Sequence, residues 1–284
     1  MFGESCGGVL LGTKLLVLGF DGMDYNISLK FLPNLGFDVH PLYAPIPVTA
    51  PSWTSIHTGL TVEQHGINEM WKPAGKINHP FFWEILNRKG YACELMNIPA
   101  TYPPRPVRNY IVCGFPMPIR DGCYTYPPDL MNRLPRNFKE RMDLVFWDPE
   151  LRTDWFEKLR KTPLERLMAR VIEDSNMILD KVVEFHSGDD LVYVQWSFID
   201  RVGSHLFCKY HYGDLAALYR HSLHLIEKLE KELKPEKEIV ISDHGDGWMF
   251  GEHSHFGVIA TKGFRLSKLL YENREAFNII LGLF

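Results

Sequence analysis

Three aspartates in this 284-residue chain follow short apolar runs: Asp21 after "LLVLGF", Asp200 after "VQWSFI" and Asp243 after "IVIS". Histidines come close behind: His205 in "DRVGSHLF", His244 beside Asp243, and His253 and His255 in "GEHSHFG". Carboxylates brought together without counter-charge repel one another and are costly to desolvate, so a cation is expected among them. Aspartate and imidazole without thiolate suit Zn²⁺, with Mn²⁺ or another divalent ion as alternatives. A single Asp–His pair is more often a helix cap beside a surface histidine. Three such clusters in one chain favour metal.

Residues 44–60, "APIPVTAPSWTSIHTGL", supply a hydroxyl in unusual surroundings. Pro47 and Pro51 stiffen the backbone on either side of Thr49, and Ser52 to Leu60 reads as a helix start. Such a start presents unpaired N–H groups and a partial positive charge. Thr49 is therefore either a nucleophile held beside an anion or an ordinary N-cap, a role Ser52 could fill equally well.

Elements must carry these residues to one place. Residues 14–20, 190–200 and 237–247 contain apolar runs that suit buried parallel strands. Between them, Leu164, Leu167, Val171, Ile178 and Val182 recur at helix spacing in 163–186, and Leu215, Leu218, Leu225 and Leu229 do so in 212–234, which Pro235 ends. "FFWEILNRKGYACELMNIP" reads as a helix, a stop at Gly90 and another strand. This alternation predicts one α/β domain over 1–284, with a mainly parallel central sheet and helices on both faces. Ligands bind beyond the carboxyl ends of such strands, where all three aspartates emerge. The segment 100–160, rich in Pro, Arg and aromatics, is expected as a cap insertion over one end of the sheet. Its Tyr102, Tyr110, Phe115, Tyr124 and Tyr126 could stack on a base and Arg105, Arg108 and Arg120 could meet phosphate, although packing and solvation are the commoner uses.

With 45% hydrophobic and 23% charged residues, the composition is that of a soluble globular chain. A net charge of -4 gives no general attraction for nucleic acid or anionic lipid. Five scattered cysteines without a CxxC argue against a disulfide framework or a thiolate zinc site and favour a reducing compartment. The apolar stretch from Gly7 has no basic leader and is interrupted by Lys14, so neither a signal peptide nor a membrane span is expected and the cytoplasm is the default. "GFDGMD" lacks the G-x-G-x-x-G spacing of a dinucleotide-binding turn. The apolar end, "FNIILGLF", could close the core or meet another subunit, which leaves the oligomeric state open.

In order along the chain, "FDGMD", "PVTAPSWTSIHTGLTVEQHGI", "FIDRVGSH", "SDHGDG" and "GEHSHFG" resemble the motifs of the alkaline phosphatase superfamily, and most of all the type I phosphodiesterase/nucleotide pyrophosphatase family with its small prokaryotic members. "NIPATYPPRPV" resembles a stretch of that prokaryotic group. The resemblance implies an alkaline-phosphatase-like fold and a two-metal phosphoric ester hydrolase, favouring a phosphodiesterase or nucleotide pyrophosphatase that acts on a small phosphoester such as a nucleotide. By motif, Thr49 matches the nucleophile. Asp21, Asp243 and His244 match the ligands of the metal that also holds it, and Asp200, His205 and His253 match those of the second. Asn68 is a candidate for the phosphate-binding asparagine, although it stands earlier in the chain than is usual.

A phosphomonoesterase, phosphonate hydrolase or mutase on the same site is the alternative activity, and a non-catalytic metal-binding protein is the alternative class. A sulfatase is disfavoured, because Thr49 occupies the position of its modified cysteine or serine. One spacing departs from the family: its histidine follows the aspartate by four residues, whereas His205 follows Asp200 by five. Five residues overshoot a helix face by about 140°, so a bulge or loop is expected there, with His211 as the fallback. His255 competes with His253. His57 and His65, with no carboxylate nearby in sequence, are expected to be structural or to support the ligands.

Overall fold

Strand β1 (Leu15–Phe20) is buried along its whole length. Its alternation sends Leu16, Leu18 and Phe20 into one apolar cluster and Leu15 and Val17 into another, as a strand covered on both faces requires. The computed structural model describes residues 12–70, 72, 74–117, 122–138, 141, 163–206, 212–246 and 253–284, with the side chains of 204–206 and 212–214 outside that description. After β1 come α1 (Tyr25–Ser28), β2 (Asp38–Tyr43), α2 (Thr49–Thr58), α3 (Val62–His65), α4 (Phe82–Arg88), β3 (Cys93–Ile98), β4 (Asn109–Cys113) and β5 (Thr125–Tyr126). The second half holds α5 (Leu164–Phe185), β6 (Leu191–Trp196), α6 (Phe198–Leu206), α7 (Tyr212–Leu233), β7 (Lys237–Ile241), β8 (Gly245–Asp246), β9 (His253–Ser254), β10 (Phe256–Lys262), β11 (Tyr271–Glu272) and α8 (Glu275–Leu281).

The main sheet has the order β11-β2-β10-β7-β1-β6-β3-β4-β5, and β8 and β9 form a separate pair. β7, β1, β6, β3 and β4 are parallel neighbours, so the expected α/β class with a mainly parallel sheet is what the chain forms. β10 lies antiparallel between β7 and β2, and β5 is antiparallel to β4. Apolar periodicity carries no sign of strand direction, so these reversals were not readable from it. Helices α5, α6 and α7 cover the Leu16 face, while α2, α4 and α8 cover the Leu15 face. With β1 between β6 and β7, the carboxyl ends that precede Asp21, Asp200 and Asp243 are adjacent.

The expected helices over 163–186 and 212–234 correspond to α5 and α7. The run over 190–200 divides: β6 stops at Trp196 and Asp200 stands in the first turn of α6. Within 100–160, β4 and β5 extend the sheet edge, and 139–140 and 142–162 lie outside the described residues. Several side chains considered for substrate contact are taken up by packing. Tyr110 and Tyr124 are buried in the core. Arg105 donates to Gly75 O, Ile77 O, His79 O and Glu84, and Arg108 donates to Gly90 O. Arg120 is outside the described residues. Cys93, Cys113 and Cys123 are free thiols, and no described helix is long and apolar enough to cross a membrane.

Helix α2 is seated by Trp53. A Cβ placed on Gly19 would meet Trp53 Cη2 at 3.2 Å and Gln195 Cγ at 3.0 Å, so the absent side chain lets the indole lie directly on β1. One turn on, His57 is enclosed by Trp53, Phe81, Phe82, Trp83 and Tyr193. Its Nε2 lies 3.1 Å from the Tyr193 hydroxyl, and burial pushes the imidazole down to about 3, so it packs as a neutral ring. Trp53→Ala is expected to cost about 3–5 kcal/mol in denaturant unfolding. A loss under about 1 kcal/mol would show that the indole does not seat the helix.

At the other end of β3, the buried Glu94 receives Ser187 N at 2.7 Å, Ser187 Oγ at 2.9 Å and the His186 ring at 2.9 Å. These bonds fasten the link from α5 to β6. The hydrogen bond to Glu94 raises the His186 pKa, against the opposing effect of burial. A raised folded value means that the pair's stabilisation is complete below the unfolded value of about 6.5 and is lost as pH climbs through the folded one. The melting-temperature difference between wild type and His186→Gln should therefore be larger at pH 6 than at pH 9. A difference independent of pH would show that the pair does not titrate on folding.

Candidate metal centre and active site

Each prospective ligand is placed by the backbone next to it. Asp21 leaves β1 with its N–H on Trp196 O at 2.9 Å, and its carbonyl receives Asp200 N at 3.1 Å. Gly22 then turns the chain at φ +74°, and a Cβ there would lie 2.9 Å from Asp200 Cα. Only glycine suits both the left-handed conformation and that approach. Gly22 N donates to Asp243 Oδ1 at 3.4 Å. Behind the pair, Ser242 Oγ accepts from Met23 N at 2.9 Å and donates to His244 O at 2.7 Å. One turn thus fixes the aspartates following three strands.

The ligand atoms of Asp21, Asp243 and His244 lie within 4.8 Å of one another, and so do those of Asp200, His244 and His253. His244 Nε2 is 3.3 Å from both Asp21 Oδ1 and Asp243 Oδ2, and His253 Nε2 is 3.1 Å from Asp200 Oδ1. The two imidazoles stack with centroids 3.9 Å apart. His244 thereby touches both groups, whereas the sequence motif assigns it to one. The other ring nitrogens are anchored on carbonyls: His253 Nδ1 on Pro47 O at 2.8 Å and His244 Nδ1 on Gly245 O at 3.1 Å. A carbonyl accepts only from N–H, so His244 is left with Nε2 as its lone-pair nitrogen, while His253 Nε2 becomes one on giving up the proton it shares with Asp200, the arrangement found in metal-binding histidines.

The donor set fits cations. Asp21 Oδ1, Asp243 Oδ2 and His244 Nε2 are buried without a hydrogen-bond partner, although such atoms normally have one. Burial, then the charges of Asp21 and Asp200, push the Asp243 carboxyl upward. Burial alone would lower the His253 imidazole, but its bond to Asp200 carries it up to about 9. The negative charge gathered at the site contributes to both shifts.

Thr49 is 2% exposed and is the first residue of α2, whose N-cap is Val48. The N-cap role is therefore not its own. Among the described residues its hydroxyl has no hydrogen-bond partner, whereas Thr54 and Thr58 turn theirs onto Ala50 O and Thr54 O. On one side of Thr49, Pro47 O holds His253. On the other, Ser52 Oγ donates to Asp243 O at 2.6 Å and accepts from Asn273 Nδ2 at 2.8 Å. The first turn of α2 is stitched to a residue from each cluster.

Other candidates lie apart from the clusters or outside the description. Asn68 is exposed, and its Oδ1 accepts from Lys72 at 2.5 Å. His255 donates from Nδ1 to Ala44 O at 2.7 Å and stacks on Tyr43. It belongs to neither cluster, unlike His253. His65 accepts Ile67 N at Nδ1 and reaches Ser55 Oγ through Nε2, which fixes the turn after α3. α6 is helical from Phe198 through Leu206, so the expected bulge between 200 and 205 does not form. The His205 side chain and all of His211 lie outside the described residues. Sequence reasoning missed the tying role of Ser52, which it weighed only as a cap, and passed over Asp246, an acid two residues beyond His244 that is 5% exposed.

The family described as type I phosphodiesterase/nucleotide pyrophosphatase matches residues 15–257. No curated protein sequence matches the chain. Among solved structures, the chain is similar to alkaline phosphatase from the Antarctic bacterium TAB5, at 12% identity over 96% of this chain and 98% of that one, with a TM-score of 0.52. It is also similar to a phosphonate monoester hydrolase from Silicibacter pomeroyi, at 14% identity over 95% and 73%, with a TM-score of 0.54. Murine ectonucleotide pyrophosphatase/phosphodiesterase 5 matches at 19% identity over 82% of this chain and 57% of its own, with a TM-score of 0.46. The chain thus spans little more than half of the murine protein's length. The first two likenesses establish an alkaline-phosphatase-like fold. Since the family match takes in most of the sequence, the chain belongs to the type I phosphodiesterase/nucleotide pyrophosphatase family.

Proposed function

We propose that this protein hydrolyses phosphoric esters, preferring diesters or nucleotide pyrophosphates, with Thr49 as the nucleophile. The observation that carries this reading is the pair of ties flanking Thr49, Pro47 O to His253 and Ser52 Oγ to Asp243 O. They bind an uncommitted hydroxyl to both clusters. Asp21, Asp243 and His244 hold one divalent ion in this reading. Asp200 and His253, with His205 carried over from the family motif, hold the second. Zn²⁺ or Mn²⁺ suits this oxygen and nitrogen donor set. When bound, the two ions would stabilise anionic oxygens and lower the pKa of a hydroxyl or water beside them.

Thr49 Oγ1 attacks phosphorus in line with the departing oxygen. Its O–P bond forms as the ester P–O bond breaks; the threonine proton passes to solvent, and the alcohol leaves with a proton taken from solvent. The N-terminus of the ten-residue α2 turns its free N–H groups and positive dipole end toward the phosphoryl oxygens. Water then cleaves the phospho-threonine, restoring the hydroxyl, and two inversions leave the configuration at phosphorus retained.

Thr49→Ala should lower kcat/KM for bis(p-nitrophenyl) phosphate by about 10³-fold or more while the purified protein keeps its metal content. Activity within tenfold of wild type would remove Thr49 as nucleophile. Chelation should abolish turnover of the same diester, and added Zn²⁺ or Mn²⁺ should restore it. The diester should be processed with higher kcat/KM than p-nitrophenyl phosphate. The opposite ranking would favour a monoesterase.

A further inference from the structure

The Asp246 carboxylate has no structural role that its surroundings explain. It is 5% exposed, and both oxygens are buried with no hydrogen-bond partner. A carboxylate in that condition bears the full cost of desolvation with no donor to offset it. It is neither a helix cap nor part of an ion pair with a lysine or arginine among the described residues. The charges acting on it are those of Asp200, His253, Asp24 and Asp21.

Asp246 is outside the two groups whose ligand atoms lie within 4.8 Å of one another, but two independent features place it beside the cluster of Asp200 and His253. In the β8–β9 pair, Asp246 is directly opposite His253. Directly opposed residues of an antiparallel ladder place their side chains on the same face, with Cβ atoms about 4.5–5.5 Å apart. The second feature is Gly203 of α6, where an added Cβ would lie 2.1 Å from Asp246 Oδ2 and 2.8 Å from its Cγ. Gly203 is one helical turn beyond Asp200, on the same side of the helix. The Asp246 carboxylate therefore lies against the helix that carries Asp200 and beside the strand partner that carries His253. Room for it exists because position 203 has no side chain.

We propose that Asp246 is a ligand of the divalent ion bound at Asp200 and His253. The assignment rests on the two-ion reading above and does not depend on His205. It adds a carboxylate from β8 to a site that Asp200 of α6 and His253 of β9 build beside His244, and it gives the two orphaned oxygens a partner. A hard oxygen donor added to one carboxylate and one imidazole suits Zn²⁺ or Mn²⁺.

Metal stoichiometry and affinity, measured on purified protein by elemental analysis and by Zn²⁺ titration after chelation, test this without reference to turnover. Wild type should take up two ions per chain. Asp246→Asn should hold one tightly and bind the second at least about 100-fold more weakly. Two ions of undiminished affinity in that variant would overturn the assignment while leaving the two-ion reading intact. A wild-type chain that takes up a single ion would sink both. If Asp246→Asn fails to fold by circular dichroism, Gly203→Ala decides the matter, since it keeps every charge and displaces the carboxylate. It should weaken the same second ion, and unaltered two-ion binding in it would overturn the proposal.

Discussion

Three aspartates share a small space, two of them closed to water and the third partly open to it, and the rest of the structure is arranged around that fact. Asp21 is 2% exposed and Asp243 not at all, and Asp200 contributes to the charge that raises the Asp243 carboxyl. Left to themselves these groups would repel, and each would be better solvated in the unfolded chain. Folding against that repulsion requires a scaffold that cannot yield, together with positive charge to replace the lost water.

The scaffold is the central parallel strands. β7, β1 and β6 lie side by side, with apolar clusters on both faces, so the chain ends they present cannot drift apart without disturbing the core. Small residues complete the convergence. Gly22 allows the Asp21 turn to touch Asp200, and Ser242 ties Met23 to His244. The replacement charge is implied by the imidazoles. Both present Nε2 inward, with Nδ1 fixed on a carbonyl, which prepares them for a cation and not for a hydrogen bond to each other. Thr49 enters on a separate element, α2, pressed onto β1 by Trp53 and stitched to the clusters at Pro47 and Ser52.

Much of this was legible in the sequence because the relevant signals are local. An apolar run ending in aspartate marks both a strand and its carboxyl end, and helical periodicity over 163–186 and 212–234 located α5 and α7 to within a residue or so. Harder to read was anything set by partners distant in the chain. The antiparallel placement of β10 between β7 and β2 leaves no trace in its own residues. The aromatic and basic residues of 100–138 look the same whether they face a ligand or a core, and Tyr110, Tyr124 and Arg105 turned out to serve packing. Asp200 was read as a strand terminus, yet it stands in a helix, because one apolar run served β6 and then the buried face of α6. Asp246 was passed over because its meaning comes from residues 203 and 253, and only the fold brings them together.

The central claim, that these carboxylates and imidazoles hold a pair of ions beside a hydroxyl, is tested most directly by anomalous diffraction at the zinc edge from crystals of the Zn²⁺-loaded protein. Two anomalous peaks are predicted, one enclosed by Asp21, Asp243 and His244 and one touching Asp200 and His253, with Thr49 Oγ1 adjoining the first. A map with no peak among these residues, or with zinc held only at other places on the surface, would contradict it.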